Sequence, residues 1–240
     1  MNKTGSIILV GAGPGDPELL TLKAIKAIKS ADIILHDMLV SDAVLAYAPE
    51  GVEKISVGKK GHGPSCRQDD INSLMVEHAR AGKCVVRLKG GDPTIFSRAG
   101  EELEAAQAAG ISISIIPGIT AAQAAAASLG VPLTHRHHAR RLQFVTGHDH
   151  KGALPSDIDW QALADPAATT VVYMAKKTLA SLCDAVREHG LPDNTPAALV
   201  MDASLPTQHI IRGTIADLPT RMEDAKLEGP VIALIGKSIS

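Results

Sequence analysis

Short β-branched runs recur along the chain, and each leads through a turn into a longer amphipathic stretch: Ile7-Ile8-Leu9-Val10, Ile33-Ile34-Leu35, Val85-Val86-Arg87-Leu88 and Ile113-Ser114-Ile115-Ile116. Runs that are apolar on both faces need cover on both faces, and parallel strands joined by crossover helices provide it. The intervening stretches have helical spacing. In residues 19–30 Leu20, Ala24, Ala27 and Ile28 fall on one face, and residues 68–81 and 99–109 behave alike, closed by Gly82 and Gly110.

The texture changes after Pro117-Gly118. Residues 120–128 read as an alanine-rich helix, Gly130-Val131-Pro132 breaks it, and a basic stretch follows. A boundary is expected there, with 1–118 as an N-terminal α/β lobe and 119–240 as a C-terminal one. The second half offers strands at 142–145, 170–174, 197–200, 208–212 and 231–235, and a helix over 178–189 stopped by Gly190-Leu191-Pro192. Its last strands have no long helix between them, which predicts antiparallel pairing. The expected fold class is α/β, with a mostly parallel N-terminal sheet and a mixed C-terminal sheet.

Composition removes several classes of function. With 45% hydrophobic residues in 240, the chain can bury a sizeable core. A net charge of -2 gives no global positive field to recruit nucleic acid or an anionic membrane. Aromatics are 2% of the residues, too few to stack unpaired bases. Cys66, Cys84 and Cys183 are odd in number and lack C-x-x-C spacing, so neither a disulfide framework nor a thiolate zinc site is indicated, and a cytoplasmic setting is expected. The opening residues are polar, and no apolar run is long enough for an export signal or a membrane span.

The loop Val10-Gly11-Ala12-Gly13-Pro14-Gly15-Asp16 stands after a strand and before a helix, where G-x-G-x-x-G would bind a dinucleotide. The third glycine falls at 15, Pro14 stiffens the turn, and Asp16 sets a negative charge where a helix start would receive phosphate. A dinucleotide oxidoreductase is therefore not expected. Lys89-Gly90-Gly91-Asp92-Pro93 lies at the strand edge where open α/β sheets take ligands, and Asp92 reads equally as an acceptor for a ribose hydroxyl or ammonium and as a turn residue before proline. His135, His137, His138, His148 and His150 lack a cysteine or acidic partner at helical spacing, so no metal is expected. By themselves Met174 reads as a core methionine and Asp37 as a cap or turn acceptor.

Taken in order, Val10-Gly11-Ala12-Gly13-Pro14-Gly15-Asp16-Pro17, His36-Asp37-Met38-Leu39-Val40-Ser41, Val57-Gly58-Lys59-Lys60, Arg87-Leu88-Lys89-Gly90-Gly91-Asp92-Pro93, Pro117-Gly118-Ile119-Thr120-Ala121, Pro132-Leu133-Thr134-His135-Arg136, Thr146-Gly147-His148 and Tyr173-Met174-Ala175 resemble the tetrapyrrole methylases over nearly the whole chain. The resemblance implies the two-lobed tetrapyrrole-methylase fold, S-adenosylmethionine bound in the cleft between the lobes, S-adenosylhomocysteine as product, and a homodimer. It implies cofactor contacts at Pro14, Gly90, Gly91, Asp92, Ile95, Thr120, Ala121, Met174 and Ala203. It further implies a proton acceptor at Asp37, with Arg98 or a bound water as the alternative, a proton donor at Lys59, and tetrapyrrole contacts at Arg98, Glu101, Arg136 and His148.

The implied activity is methylation of uroporphyrinogen III at C2 and C7 to give precorrin-2. A different precorrin methylase of the same fold is the near alternative, and an rRNA ribose methyltransferase is disfavoured by the acidic balance and scarce aromatics. The residue types suit this chemistry. Methylating a pyrrole carbon needs an aligned methyl and loss of a ring proton, with no nucleophilic Ser or Cys, and forked arginines suit the carboxylate arms of the macrocycle.

Overall fold

The computed structural model describes residues 5–58, 67–149 and 151–240. They fall into two compact units, Met1–Thr120 and Ala121–Ser240.

The first unit runs β1 (Ser6–Gly11), α1 (Leu22–Lys29), β2 (Ile33–His36), α2 (Asp42–Leu45), β3 (Glu53–Ser56), α3 (Gln68–Arg80), β4 (Cys84–Lys89), α4 (Ala99–Ala108) and β5 (Ser112–Ile116). Its sheet has the order β3-β2-β4-β1-β5 with every pairing parallel, and Ile7 lies level with Val85 and Ile113. Alternation along the strands divides their apolar side chains between two cores. Val10, Ile34, Val86 and Leu88 pack on α1 and α2, whereas Ile7, Leu9, Ile33, Leu35 and Val85 pack on Ile71, Met75 and Ala106 of α3 and α4. By the same alternation Arg87 and Lys89 share the face of Val85.

The periodicity misses β3 and the start of α1. Asp16 and Pro17 first close a 3-10 turn over Pro17–Leu19, and the Thr21 side chain then accepts the Ala24 N–H at 3.1 Å, so the helix begins at Leu22. β3 is an edge strand paired only with β2, and Glu53-Lys54-Ile55-Ser56 carries no apolar run to announce it.

The second unit runs α5 (Ala121–Leu129), β6 (Arg141–Thr146), α6 (Trp160–Leu163), β7 (Ala168–Tyr173), α7 (Leu179–Glu188), β8 (Pro196–Met201), β9 (His209–Thr214), α8 (Leu218–Asp224) and β10 (Val231–Ile235). The order is β6-β7-β10-β8-β9; β6 and β7 are parallel and the other pairings antiparallel, which is the mixed sheet expected. Ala122 and Ala125 of α5 are fully buried in a cluster with Val171, Ala198, Val200 and Leu234, while α7 packs Leu179, Leu182 and Val186 with Val172, Leu199 and Ala233 on the other face. The small side chains of α5 thus serve close packing within this unit's core. Among the described residues no helix is long and apolar enough to cross a membrane.

Candidate active site

The carboxyl ends of β1 and β4 and the loop after β5 meet through glycine backbone. Gly91 N–H donates to the Gly13 carbonyl at 2.7 Å and Gly13 N–H returns a bond at 3.2 Å. A Cβ on Gly11 would lie 2.5 Å from the Gly118 nitrogen, and one on Gly118 would collide with the Gly91 carbonyl, so neither position accepts a larger residue. Asp92 ties this junction together. Its Oδ1 accepts from the Thr94 N–H at 2.7 Å and hydroxyl at 2.5 Å, and its Oδ2 accepts from the Gly118 N–H at 2.9 Å. The buried carboxylate therefore meets the turn reading, anchoring one loop to the next.

The other candidates of the first unit gather near these loops. Pro14 is half-buried between Gly13 and Gly15, whose carbonyl accepts the Ser41 hydroxyl at 2.8 Å. Gly90 faces Leu39, 3.4 Å from where a Cβ would stand. Ile95 N–H donates to the Asp92 carbonyl at 3.2 Å, and Thr120 is buried.

Asp37 follows β2 directly, a third exposed, and its Oδ1 accepts from Arg87 Nη2 at 2.5 Å. Behind it lies a buried cluster. Arg87 Nε donates to Glu102 Oε1 at 3.1 Å, and Lys89 Nζ reaches both Glu102 oxygens at 2.8 Å. Burial, then the charge of Arg87, pushes the Lys89 ammonium below its ordinary value against the pull of Glu102. Lys59 lies outside the described residues.

Arg98 and Glu101 are engaged with each other. Nε and Nη2 of Arg98 donate to the two Glu101 oxygens at 2.7 and 2.6 Å on an exposed surface, and this bond raises the guanidinium's hold on its proton. Arginine stays protonated in proteins, so of the two candidates for proton acceptor Asp37 has the more suitable chemistry. A depression of about 310 Å³ beside this pair is lined by Phe96, Arg98, Leu103 and Ile115 but by none of Gly90, Gly91 or Asp92.

In the second unit Met174 stands just past β7 with φ 57° and is 45% exposed. It is therefore not the core methionine that its position at a strand end suggested. Gly147 packs under the same turn, where a Cβ would lie 2.6 Å from the Ala175 Cα, and its carbonyl accepts the Thr178 hydroxyl at 2.5 Å. Ala203 is buried between Asp202 and Ser204, both with positive φ. Ala121 opens α5, where the Tyr173 hydroxyl accepts the Ala122 N–H at 3.4 Å. Backbone strain of roughly 1–3 kcal/mol per left-handed residue tends to collect at functional loops, and Phe96, Arg98, Met174, Asp202 and Ser204 all lie beside or on candidate positions.

Arg136 is exposed, and among the described residues its guanidinium makes no ion pair. His148 donates nothing and accepts nothing at Nδ1, which is buried without a hydrogen-bond partner in the described residues. His135 and His138 stack at 4.2 Å, and desolvation together with His135 and His137 lowers the His138 pKa. Among the described residues no group of His, Cys, Asp or Glu is arranged to hold a metal ion.

Sequence reasoning missed Glu102. The signal was present: Ala99, Glu102 and Ala106 share one helical face, so a carboxylate stood on the buried side of α4, and Arg87 interrupts an otherwise apolar strand.

A parallel sheet whose carboxyl edge is a glycine-lined loop junction belongs to the ligand-binding α/β proteins. Residues 6–219 match the tetrapyrrole (corrin/porphyrin) methylases, and the chain belongs to that family. It is 46% identical over 235 residues to the siroheme synthase of Methylococcus capsulatus, covering 98% of this chain and 49% of that protein. The same identity and length relate it to the S-adenosyl-L-methionine-dependent uroporphyrinogen III methyltransferase, chloroplastic, of Arabidopsis thaliana, covering 98% of this chain and 64% of that one. The chain thus spans about half the length of the siroheme synthases it matches. Among solved structures, the uroporphyrin-III C-methyltransferase of Thermus thermophilus complexed with S-adenosylhomocysteine has a TM-score of 0.82 at 37% identity, over 98% of this chain and 99% of that one. A cobalt precorrin-4 methyltransferase has a TM-score of 0.87 at 26% identity, over 98% and 96%.

Proposed function

We propose that the chain transfers methyl groups from S-adenosylmethionine to C2 and C7 of uroporphyrinogen III, giving precorrin-2 and S-adenosylhomocysteine. The end-to-end match with the Thermus protein at 37% identity carries this reading over the precorrin-4 alternative, whose likeness rests on a shared fold at 26%.

The residues present fit the cofactor. Gly90 and Gly91 leave backbone without a Cβ at a sheet edge, and Met174 offers an exposed thioether on a strained turn. Pro14, Asp92, Ile95, Thr120, Ala121 and Ala203 complete the assigned contacts. When bound, S-adenosylmethionine supplies a sulfonium methyl. Asp37 accepts the proton that the macrocycle loses; Arg87 holds its Oδ1, and no hydrogen bond from the described residues reaches its Oδ2. Lys59 serves as the proton donor. Arg136, whose guanidinium makes no ion pair among the described residues, and His148 face the carboxylate arms, and Arg98 and Glu101 exchange their mutual bond for substrate contacts.

Anaerobic incubation with S-adenosylmethionine and uroporphyrinogen III, followed by absorbance and mass, yields a doubly methylated product. Unmethylated recovery alongside methylation of a precorrin overturns the assignment. The family likeness supports a homodimer, and the odd, unspaced cysteines support a cytoplasmic setting; light scattering that gives the 25.0 kDa mass of a single chain rejects the dimer.

A further inference from the structure

β4 carries cations into a place where the sheet is otherwise apolar. Arg87 and Lys89 are each 2% exposed and Glu102 is fully buried, in a layer shared with Val85, Ala99 and Ala106. Burying charges is costly even when they pair, and apolar replacements of equal volume are often as stable. Stability alone therefore gives no reason for the cluster, but its geometry does. Arg87 Nε is held by Glu102 Oε1 at 3.1 Å and Nη1 by the Leu88 carbonyl at 3.0 Å, which fixes the guanidinium plane and aims Nη2 at Asp37. Lys89 Nζ grips Glu102 by both oxygens at 2.8 Å.

We propose that Glu102 and Lys89 are positioning residues for methyl transfer: Glu102 orients Arg87 against Asp37, and the three buried charges together present one net cation to that carboxylate. The proposal rests on the reading of Asp37 as proton acceptor. Other charged or titratable groups around the cluster are His36 on β2, whose Nδ1 lies 3.1 Å from the Asp37 carbonyl, Asp69 on α3, and Arg98 with Glu101 on α4. Gln68 of α3 adds a neutral donor to Glu102 at 3.4 Å.

Profiles of kcat against pH, with S-adenosylmethionine and uroporphyrinogen III, test the proposal. Glu102→Gln keeps the shape but leaves two cations behind Asp37, so the acid limb moves down by about half a unit or more and plateau kcat falls about tenfold, because a carboxylate held more firmly ionised is a weaker base. Lys89→Met leaves no net cation, and the limb moves up. Glu102→Asp, which retains the charge, returns the limb toward wild type. A role in folding alone lowers thermal stability and leaves every limb in place, which overturns the proposal. If Glu102→Gln does not fold, the upward movement in Lys89→Met supports it and an unmoved limb overturns it. The double variant Asp37→Asn/Glu102→Gln is no slower than Asp37→Asn, since Glu102 acts only through Asp37. An Asp37→Asn that turns over like wild type sinks the acceptor reading itself, whereas a slow Asp37→Asn with unmoved limbs sinks the positioning role alone.

Discussion

Asp37 and Arg136 make opposite demands on kinetics. Asp37→Asn preserves the turn, because Asn suits turns and caps nearly as well as Asp, yet it cannot take up a proton. The expected outcome is a fall in kcat of about 10²-fold or more with unchanged affinity for S-adenosylhomocysteine by calorimetry. Arg136→Ala removes an exposed cation and should raise KM for the tetrapyrrole by about tenfold or more at unchanged kcat, since a charge-assisted bond is worth roughly 1.5–3 kcal/mol. Turnover of Asp37→Asn within about threefold of wild type would return Asp37 to a turn role. At this scale the sequence was partly legible. Asp37 and Asp92 stand out by motif order, but the partner that fixes Arg87 does not, because Glu102 comes within reach of β4 only through a crossover helix and no local spacing encodes that contact.

Among the elements, the strands were most legible, since the inner strands β1, β2 and β4 are buried along most of their length and read as β-branched runs, and the edge strand β5 keeps a run of isoleucines although it is half-exposed. β3 and α8 were hidden for the opposite reason: each is short and half-exposed, and is held by a few directed bonds rather than by an apolar stripe. Asp217, just ahead of α8, shows how. Its Oδ1 accepts the Thr214 N–H at 2.6 Å and its Oδ2 accepts Arg221 Nε at 2.7 Å. The Thr214 amide first, and then Arg221, hold its carboxyl below the ordinary carboxylate range. A depressed folded value means that the stabilisation is complete above the unfolded value of about 3.9 and is lost as pH falls through the folded one. Denaturant unfolding across that acid range should show wild type losing more stability than Asp217→Asn, with the two curves converging at the acid end. Parallel curves would show that the carboxylate charge contributes nothing to the β9–α8 corner.

For the whole molecule, each unit has apolar clusters of its own, and the alanine-rich α5 is packed into the core of the second unit against the mixed sheet. The charges are sorted just as sharply: Arg87, Lys89 and Glu102 lie out of reach of solvent, whereas Arg98, Glu101 and Arg136 stand in it. Dissolved salt screens exposed charges over about 8 Å at physiological ionic strength and barely touches buried ones. Raising potassium chloride should therefore increase KM for the polycarboxylate substrate more than it moves the acid limb of kcat, because only the Asp37 carboxylate of that network is partly exposed; a limb that moves as far as KM would show that the buried charges do not set it. With the roles proposed for Arg136 and Asp37, capture of the substrate should follow the ionic composition of the medium, while the charges that orient Arg87 are shielded from it.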